Sequence, residues 1–144
     1  MAPLVALVVG SLLARLIGAL GFTPVNSWPA AVAVGLAAMF TLTGVAHFVP
    51  KMRAAMIAIV PPWIPAAEFL VALTGVLELL GAIGVLVPST RVVAAGCLGV
   101  LLVAMFPANV YAASQRSNPL STPLGRRTAE QLLFLAATAV VVWG

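Results

Sequence analysis

The sequence is poor in charged and reactive side chains. It contains no aspartate, three glutamates, one lysine, one histidine and one cysteine, and charged residues make up 7% of the chain. The single cysteine, Cys97, excludes an internal disulfide and a paired-thiol redox site, and we expect it to pack within an apolar helix. One cysteine and one histidine are also too few ligands for an ordinary tetrahedral site, so the sequence predicts no metal.

Hydrophobic residues dominate instead. They make up 63% of the chain, against roughly 45–50% in a soluble domain. They form five apolar segments, and prolines mark most of the breaks between them. The sequence therefore predicts an all-α integral membrane helix bundle, a single domain over residues 1–144, with spans at roughly 3–22, 30–49, 66–87, 92–111 and 129–143.

The segment at residues 50–65 is too short and too often interrupted by proline to cross a bilayer. Proline suits the first turn of a helix, and Pro50 stands where such a turn would begin. We interpret the segment as a short interfacial helix followed by a proline-stiffened bend. A simple loop is the alternative.

The loops differ in charge. With five spans, the N-terminus shares a side with the two loops that hold Lys51, Arg53, Arg116, Arg126 and Arg127, whereas the opposite side holds only Arg91. The positive-inside rule then predicts a cell inner membrane protein with a cytoplasmic N-terminus and an outer C-terminus. The net charge of +4 fits contact with membrane lipid, and no one-sided basic stripe points to a nucleic acid partner.

Charged side chains inside a bilayer are costly and usually face the bundle interior. Arg15 and Glu78 each lie twelve residues after the start of their spans, which run in the same direction. Both should therefore sit roughly 18 Å above the same membrane face. We expect them to form a structural ion pair, which lowers the cost of each charge.

A second polar group lies near the cytoplasmic ends of four spans. The candidate catalytic residues are His47, Glu68 and Glu78, because an imidazole beside a carboxylate can exchange a proton near neutral pH. Helical spacing places Glu68 and Glu78 on one face of the third span, lining a narrow cavity, and we expect His47 to lie near Glu68. The candidate ligand-binding residues are Thr43, Asn109, Tyr111, Arg127 and Gln131. For His47, an interface anchor or a helix cap is the alternative.

Several stretches resemble DoxX-like membrane proteins: TGVAHF (43–48), LVALTGVLELLGAIGVLVPSTR (70–91), MFPANVYAA (105–113) and the final Arg-Arg-x-x-x-Gln before an apolar tail. The resemblance runs from about Gly35 to the end. It implies a four-helix core with one extra N-terminal helix, and a link to quinone-dependent membrane oxidoreductases. The family's recurring polar positions match His47, Glu78, Asn109 and Gln131.

Three functions remain open at this stage. The first is a binding or accessory subunit that holds a quinone or another small apolar ligand, alone, as a homo-oligomer or with a partner oxidoreductase subunit. The second is a stand-alone acid–base enzyme, an isomerase or hydrolase, acting on an apolar substrate. The third is a purely structural bundle. The chain offers no pair of axial haem ligands, so we expect no cofactor held by the chain itself other than a bound quinone.

Overall fold

The computed structural model describes all 144 residues, and its regular structure is entirely helical. Its α-helices are α1 (Ala2–Ala19), α2 (Trp28–Ala46), α3 (Pro50–Ala58), α4 (Ala67–Leu86), α5 (Arg91–Ser114) and α6 (Leu124–Trp143). A short 3-10 turn covers Thr23–Val25. The predicted all-α class is confirmed.

Four helices, α1, α2, α4 and α5, are long and apolar enough to cross a membrane. The predicted fifth span corresponds to α6, which does not meet the same standard of length and composition. The reason is that Arg126, Arg127 and Glu130 lie in its first two turns. Its continuous apolar stretch begins only after Gln131.

Local signals in the sequence explain where the helices begin and end. The Ser27 hydroxyl accepts a hydrogen bond from the Ala30 amide at 3.3 Å and so caps α2. At the corner between α4 and α5, the Arg91 guanidinium donates to the Val85 carbonyl at 3.0 Å, and the Thr90 hydroxyl donates to the Gly84 carbonyl at 2.8 Å. A cation at a helix C-terminus is stabilising, so this corner is held firmly.

Four helices, α2, α4, α5 and α6, pack as a closed ring, and α1 packs on the outside of this ring. α2 packs against α4, α4 against α5, α5 against α6, and α6 against α2, while α1 packs mainly against α2. Gly10 and Gly35 allow α1 and α2 to approach closely, because a Cβ on Gly10 would lie 3.0 Å from the Gly35 Cα. Small residues at such crossings are typical of membrane helix pairs.

The bundle has two unlike halves. We call the end where α2 finishes and α4 and α6 begin the cavity end, and the end holding the α1–α2 link and the α4–α5 corner the far end. Large buried apolar side chains pack in the half towards the far end, among them Leu36, Val85 and Leu98. The polar side chains that line the cavity lie in the other half.

Two expectations about single residues are wrong. Arg15 does not pair with Glu78, because α1 lies outside the ring whereas Glu78 points inward from α4; equal depth does not make them neighbours. Arg15 instead donates to the Asn26 side chain, and its guanidinium lies 5.5 Å from the centre of the Trp28 ring. Cys97 is exposed on α5 instead of packed.

Candidate ligand-binding cavity

A cavity of about 440 Å³ lies inside the ring at the cavity end. Its lining is mainly hydrophobic, with side chains from α2, α4, α5 and α6 around it and residues of α3 and the following segment against one side. The polar side chains that line it are Thr43, His47, Thr74, Glu78, Asn109, Arg127 and Gln131. An apolar cavity with a few convergent polar groups is the usual form of a small-molecule site.

His47 ends α2 and is 3% exposed. Its Nδ1 lies 2.9 Å from the Thr43 carbonyl oxygen. A carbonyl can only accept, so Nδ1 carries the proton in this bond. Nε2 has no partner in the chain, and since His47 lines the cavity, the neutral ring presents an acceptor there.

Gly75 makes room for the imidazole. A Cβ at this position would lie 2.6 Å from the His47 Cβ and 3.0 Å from its Cγ. The small residue on α4 therefore lets the end of α2 pack against it.

Glu78 is the buried carboxyl group of the site, 3% exposed in the middle of α4. Its Oε2 lies 2.5 Å from the Thr43 hydroxyl, which also lies 3.2 Å from the Met39 carbonyl. The Thr43 hydroxyl has one proton to donate. It can donate to the ionised Glu78 carboxylate, or it can donate to the Met39 carbonyl and accept a hydrogen bond from the protonated Glu78. The pair is thus complete in both protonation states of Glu78.

The acidic neighbour of His47 is Glu78 and not Glu68. The His47 Nδ1 lies 3.9 Å from the Glu78 Oε2, with both side chains 4% exposed. Glu68 is exposed in the first turn of α4, and it does not line the cavity. Glu68 lies on the same face of α4 as Glu78, but it stands in the first turn of the helix. A carboxylate there is stabilised by the positive end of the helix dipole.

On the opposite wall, Arg127 links α6 to α5. Its Nη1 donates to the Asn109 Oδ1 at 2.8 Å, and its Nη2 donates to the Leu120 carbonyl. Because a guanidinium only donates, the Asn109 amide must turn its oxygen towards Arg127 and its NH₂ group elsewhere. That NH₂ group has no partner in the chain, and Asn109 lines the cavity.

Gln131 also joins the two helices of this wall. It is 7% exposed, and its Nε2 donates to the Leu102 carbonyl at 2.7 Å. The acceptor is the neighbour of Val103, whose carbonyl lacks its helical donor because residue 107 is proline. An amide side chain from α6 therefore holds α5 next to its proline.

Tyr111 does not line the cavity. Its ring packs edge-on against Trp63, with 6.0 Å between the ring centres. The sequence placed Tyr111 at the correct depth but could not show that residues 59–65 fold back beside α5. For the same reason it missed the lining residues Met56, Ile59 and Pro61. A hydrogen bond of 3.0 Å from Asn118 to the Ala55 carbonyl fastens α3 to the α5–α6 connection.

The cavity separates α4 from α5 near the cavity end. Near the far end the two helices touch closely, since a Cβ on Gly84 would lie 2.8 Å from the Ala94 Cβ. Towards the other end, Thr74 of α4 and Ala104 of α5 both line the cavity, so the cavity lies between the two helices there.

Both walls carry unused hydrogen-bonding groups. The α2–α4 wall offers the acceptors His47 Nε2 and Glu78 Oε1, neither of which has a partner in the chain. The α5–α6 wall offers the Asn109 NH₂ donors and the Gln131 Oε1 acceptor. A ligand with a hydroxyl at one end and a carbonyl at the other could satisfy both. No group of three or more His, Cys, Asp and Glu side chains comes together to hold a metal.

The sequence profile described as a domain of unknown function (DUF8561) matches residues 36–143. The chain therefore belongs to this family. The match begins within α2 and covers the whole ring from there on, including every polar residue of the cavity. No curated protein and no solved structure matches the chain.

Proposed function

We propose that the protein is an integral membrane protein that binds a small apolar ligand of quinone type in the cavity. The observation that carries the proposal is a largely hydrophobic cavity of about 440 Å³ with unused acceptors on the α2–α4 wall and the unused Asn109 donors across from them. A quinone or quinol has a flat apolar ring with oxygens at opposite edges, which suits two facing polar walls. Its apolar tail would extend out of the cavity between α4 and α5.

Quinol and quinone would make different hydrogen bonds with the two walls of the cavity. A quinol hydroxyl donates to the His47 Nε2 or the Glu78 Oε1, and the oxygen across the ring accepts from the Asn109 NH₂ group. A quinone accepts at both edges, so it favours the form in which Glu78 keeps its proton. The Thr43 hydroxyl accommodates either form of Glu78 without moving a helix.

The membrane placement extends this proposal. The apolar part of α6 serves as a fifth span, and the basic residues of the cavity end face the cytoplasm of a cell whose inner membrane holds the protein. The resemblance to DoxX-like proteins favours an accessory role, in which the chain acts with a partner oxidoreductase subunit or as a homo-oligomer.

Mass spectrometry of small molecules that co-purify with the protein tests the proposal. Ala108 lines the cavity, so Ala108→Phe fills it, whereas Ala136 is exposed on α6 and away from the cavity. We expect the wild type and Ala136→Phe to carry an apolar ligand, and Ala108→Phe to lose it. Equal ligand content in all three proteins, or no ligand in any, would instead support a purely structural bundle.

A stand-alone acid–base enzyme is a second candidate, because His47 and Glu78 face the same cavity with one unused atom each. In that case Glu78 moves a proton on an apolar substrate, and His47 assists. Turnover of the co-purified compound would be lost in Glu78→Gln although binding remained. A ligand recovered unchanged after long incubation with the wild type would exclude this candidate.

A further inference from the structure

A second polar cluster lies at the far end of the bundle, on the outer side of the ring. It consists of Arg15 on α1, Asn26 in the α1–α2 link and Trp28 at the start of α2. Arg15 donates from Nη1 to the Asn26 Oδ1, and its guanidinium carbon lies 5.5 Å from the centre of the Trp28 ring. Two neutral groups therefore fix the plane and direction of the guanidinium.

Arg15 forms no ion pair within the chain. No carboxylate, from a glutamate or from the chain terminus, lies within 4.0 Å of it. Glu68 and Glu130 lie at the cavity end, and Glu78 lines the cavity. The C-terminal Gly144 lies at the far end against Pro29, but its carboxylate is not within 4.0 Å of Arg15. The Arg15 Nε is buried without a partner, and its Nη2 also lacks a partner but is not enclosed. A partly desolvated cation of this kind is stabilised most by an anion.

The fold builds this cluster through Gly18. A Cβ at Gly18 would lie 2.7 Å from the Asn26 Cα and 2.8 Å from the Asn26 nitrogen. Only a glycine here lets the α1–α2 link fold tightly against α1. Because Gly18 follows Arg15 by three residues, this contact brings Asn26 to the guanidinium.

The depth of the cluster fits the edge of a bilayer. Arg15 lies four residues before the end of α1, about 6 Å along the axis, and its side chain can extend towards the helix end. Exposed aromatic side chains surround the same end, with Phe22 57%, Trp28 55% and Trp143 82% exposed. Tryptophan in particular is enriched at the level of lipid headgroups.

We propose that Arg15, Asn26 and Trp28 bind the phosphate group of a phospholipid in the leaflet at the far end. The lipid phosphate accepts from the Arg15 Nη2, while Asn26 and Trp28 hold the guanidinium in place. The inference rests on the membrane placement proposed above and is independent of the ligand in the cavity. A dissolved phosphate has the same chemistry, and the test below separates the two sources.

Native mass spectrometry of the delipidated full-length protein in detergent, titrated with phosphatidylglycerol or diacylglycerol, tests this site. We expect Arg15→Gln to weaken binding of the tightest phosphatidylglycerol about tenfold, which corresponds to one charged hydrogen bond. Asn26→Ala should weaken it less, and Arg116→Gln, which removes an exposed cation at the cavity end, should not weaken it. Diacylglycerol, which lacks the phosphate, should bind equally to all variants.

Unchanged phosphatidylglycerol binding in both Arg15→Gln and Asn26→Ala would overturn the proposal. If Arg15→Gln fails to fold, Asn26→Ala and Trp28→Leu decide by the same measurement. Displacement of the lipid from the wild type by millimolar inorganic phosphate would assign the site to a dissolved anion and overturn the lipid. Arg15→Gln should keep the ligand of the cavity, so this result is separate from that of the proposed function.

Discussion

The Thr43 hydroxyl lies 2.5 Å from the Glu78 carboxyl oxygen and joins α2 to α4 at the wall of the cavity. Each residue belongs to a helix that is long and apolar enough to cross a membrane. Glu78 lies in the middle of α4, whereas Thr43 lies in the last turn of α2. The hydroxyl can donate to the carboxylate or accept from the acid. The contact can therefore hold the two helices together in both protonation states of Glu78.

Removal of this hydroxyl should destabilise the fold. Thr43→Val keeps the shape but leaves the buried Glu78 without its donor, and we expect the free energy of unfolding to fall by about 1–3 kcal/mol. Chemical unfolding in detergent measures the loss. Thr41→Val is the matched control, because Thr41 is exposed on the same helix; equal losses for the two variants would contradict the role of the bond.

Two glycines should respond to alanine in opposite directions. Gly75→Ala places a Cβ 2.6 Å from that of His47 and should cost about 1–3 kcal/mol, because α2 must shift. Gly96→Ala meets no atom within 4 Å and should stabilise α5 by up to about 1 kcal/mol. Thermal unfolding of both variants checks the difference in sign. A neutral or stabilising Gly75→Ala would show that the imidazole does not depend on the close approach.

The two adjacent arginines of α6 should differ in their tolerance of lysine. Arg127→Lys cannot reach both Asn109 and the Leu120 carbonyl, and we expect a loss of about 1–2 kcal/mol. Arg126 makes only an ion pair with Glu130 four residues later, at 3.1 Å, and its side chain is 41% exposed. Arg126→Lys should therefore change stability by less than about 0.5 kcal/mol. A loss at Arg126 as large as that at Arg127 would refute the assignment.

The hydrogen bond from Asn118 to the Ala55 carbonyl should slow amide hydrogen exchange in α3. Asn118→Ala removes the bond to the Ala55 carbonyl, so the amides of α3 should exchange faster while those of α2 and α4 keep their rates. Ser117→Ala is the control, because Ser117 is exposed and its side chain makes no hydrogen bond. Unchanged exchange in α3 would mean that packing alone holds this helix.

The sequence predicted the depth of the polar residues better than their neighbours. His47, Asn109, Arg127 and Gln131 were expected to share one level of the bundle and all line one cavity, whereas Glu68, Tyr111 and Glu130, expected at the same level, do not line it. Helical rise and alternating direction set that level, and both can be taken from the positions of the apolar segments.

Lateral position was harder to predict. The pairing of Arg15 with Glu78 failed because hydropathy does not say which helix lies outside the ring. The pairing of His47 with Glu68 failed because helical spacing puts Glu68 and Glu78 on one face but does not show that Glu68 lies at the exposed start of α4 while Glu78 lies inside the bundle. Tyr111 was misplaced because the path of residues 59–65 depends on turns and on the left-handed backbone of Ala66 (φ 58°), which no periodicity reveals.

The most direct test of the cavity as a ligand site is the dissociation constant of a short-chain quinol for the purified protein. The measurement compares the wild type with Asn109→Leu, which removes the unused amide donors, and with Gln115→Leu, which lies outside the cavity lining. The account predicts saturable binding to the wild type and to Gln115→Leu, and a dissociation constant about tenfold higher for Asn109→Leu. Equal binding to all three proteins, or no saturable binding to the wild type, would contradict it.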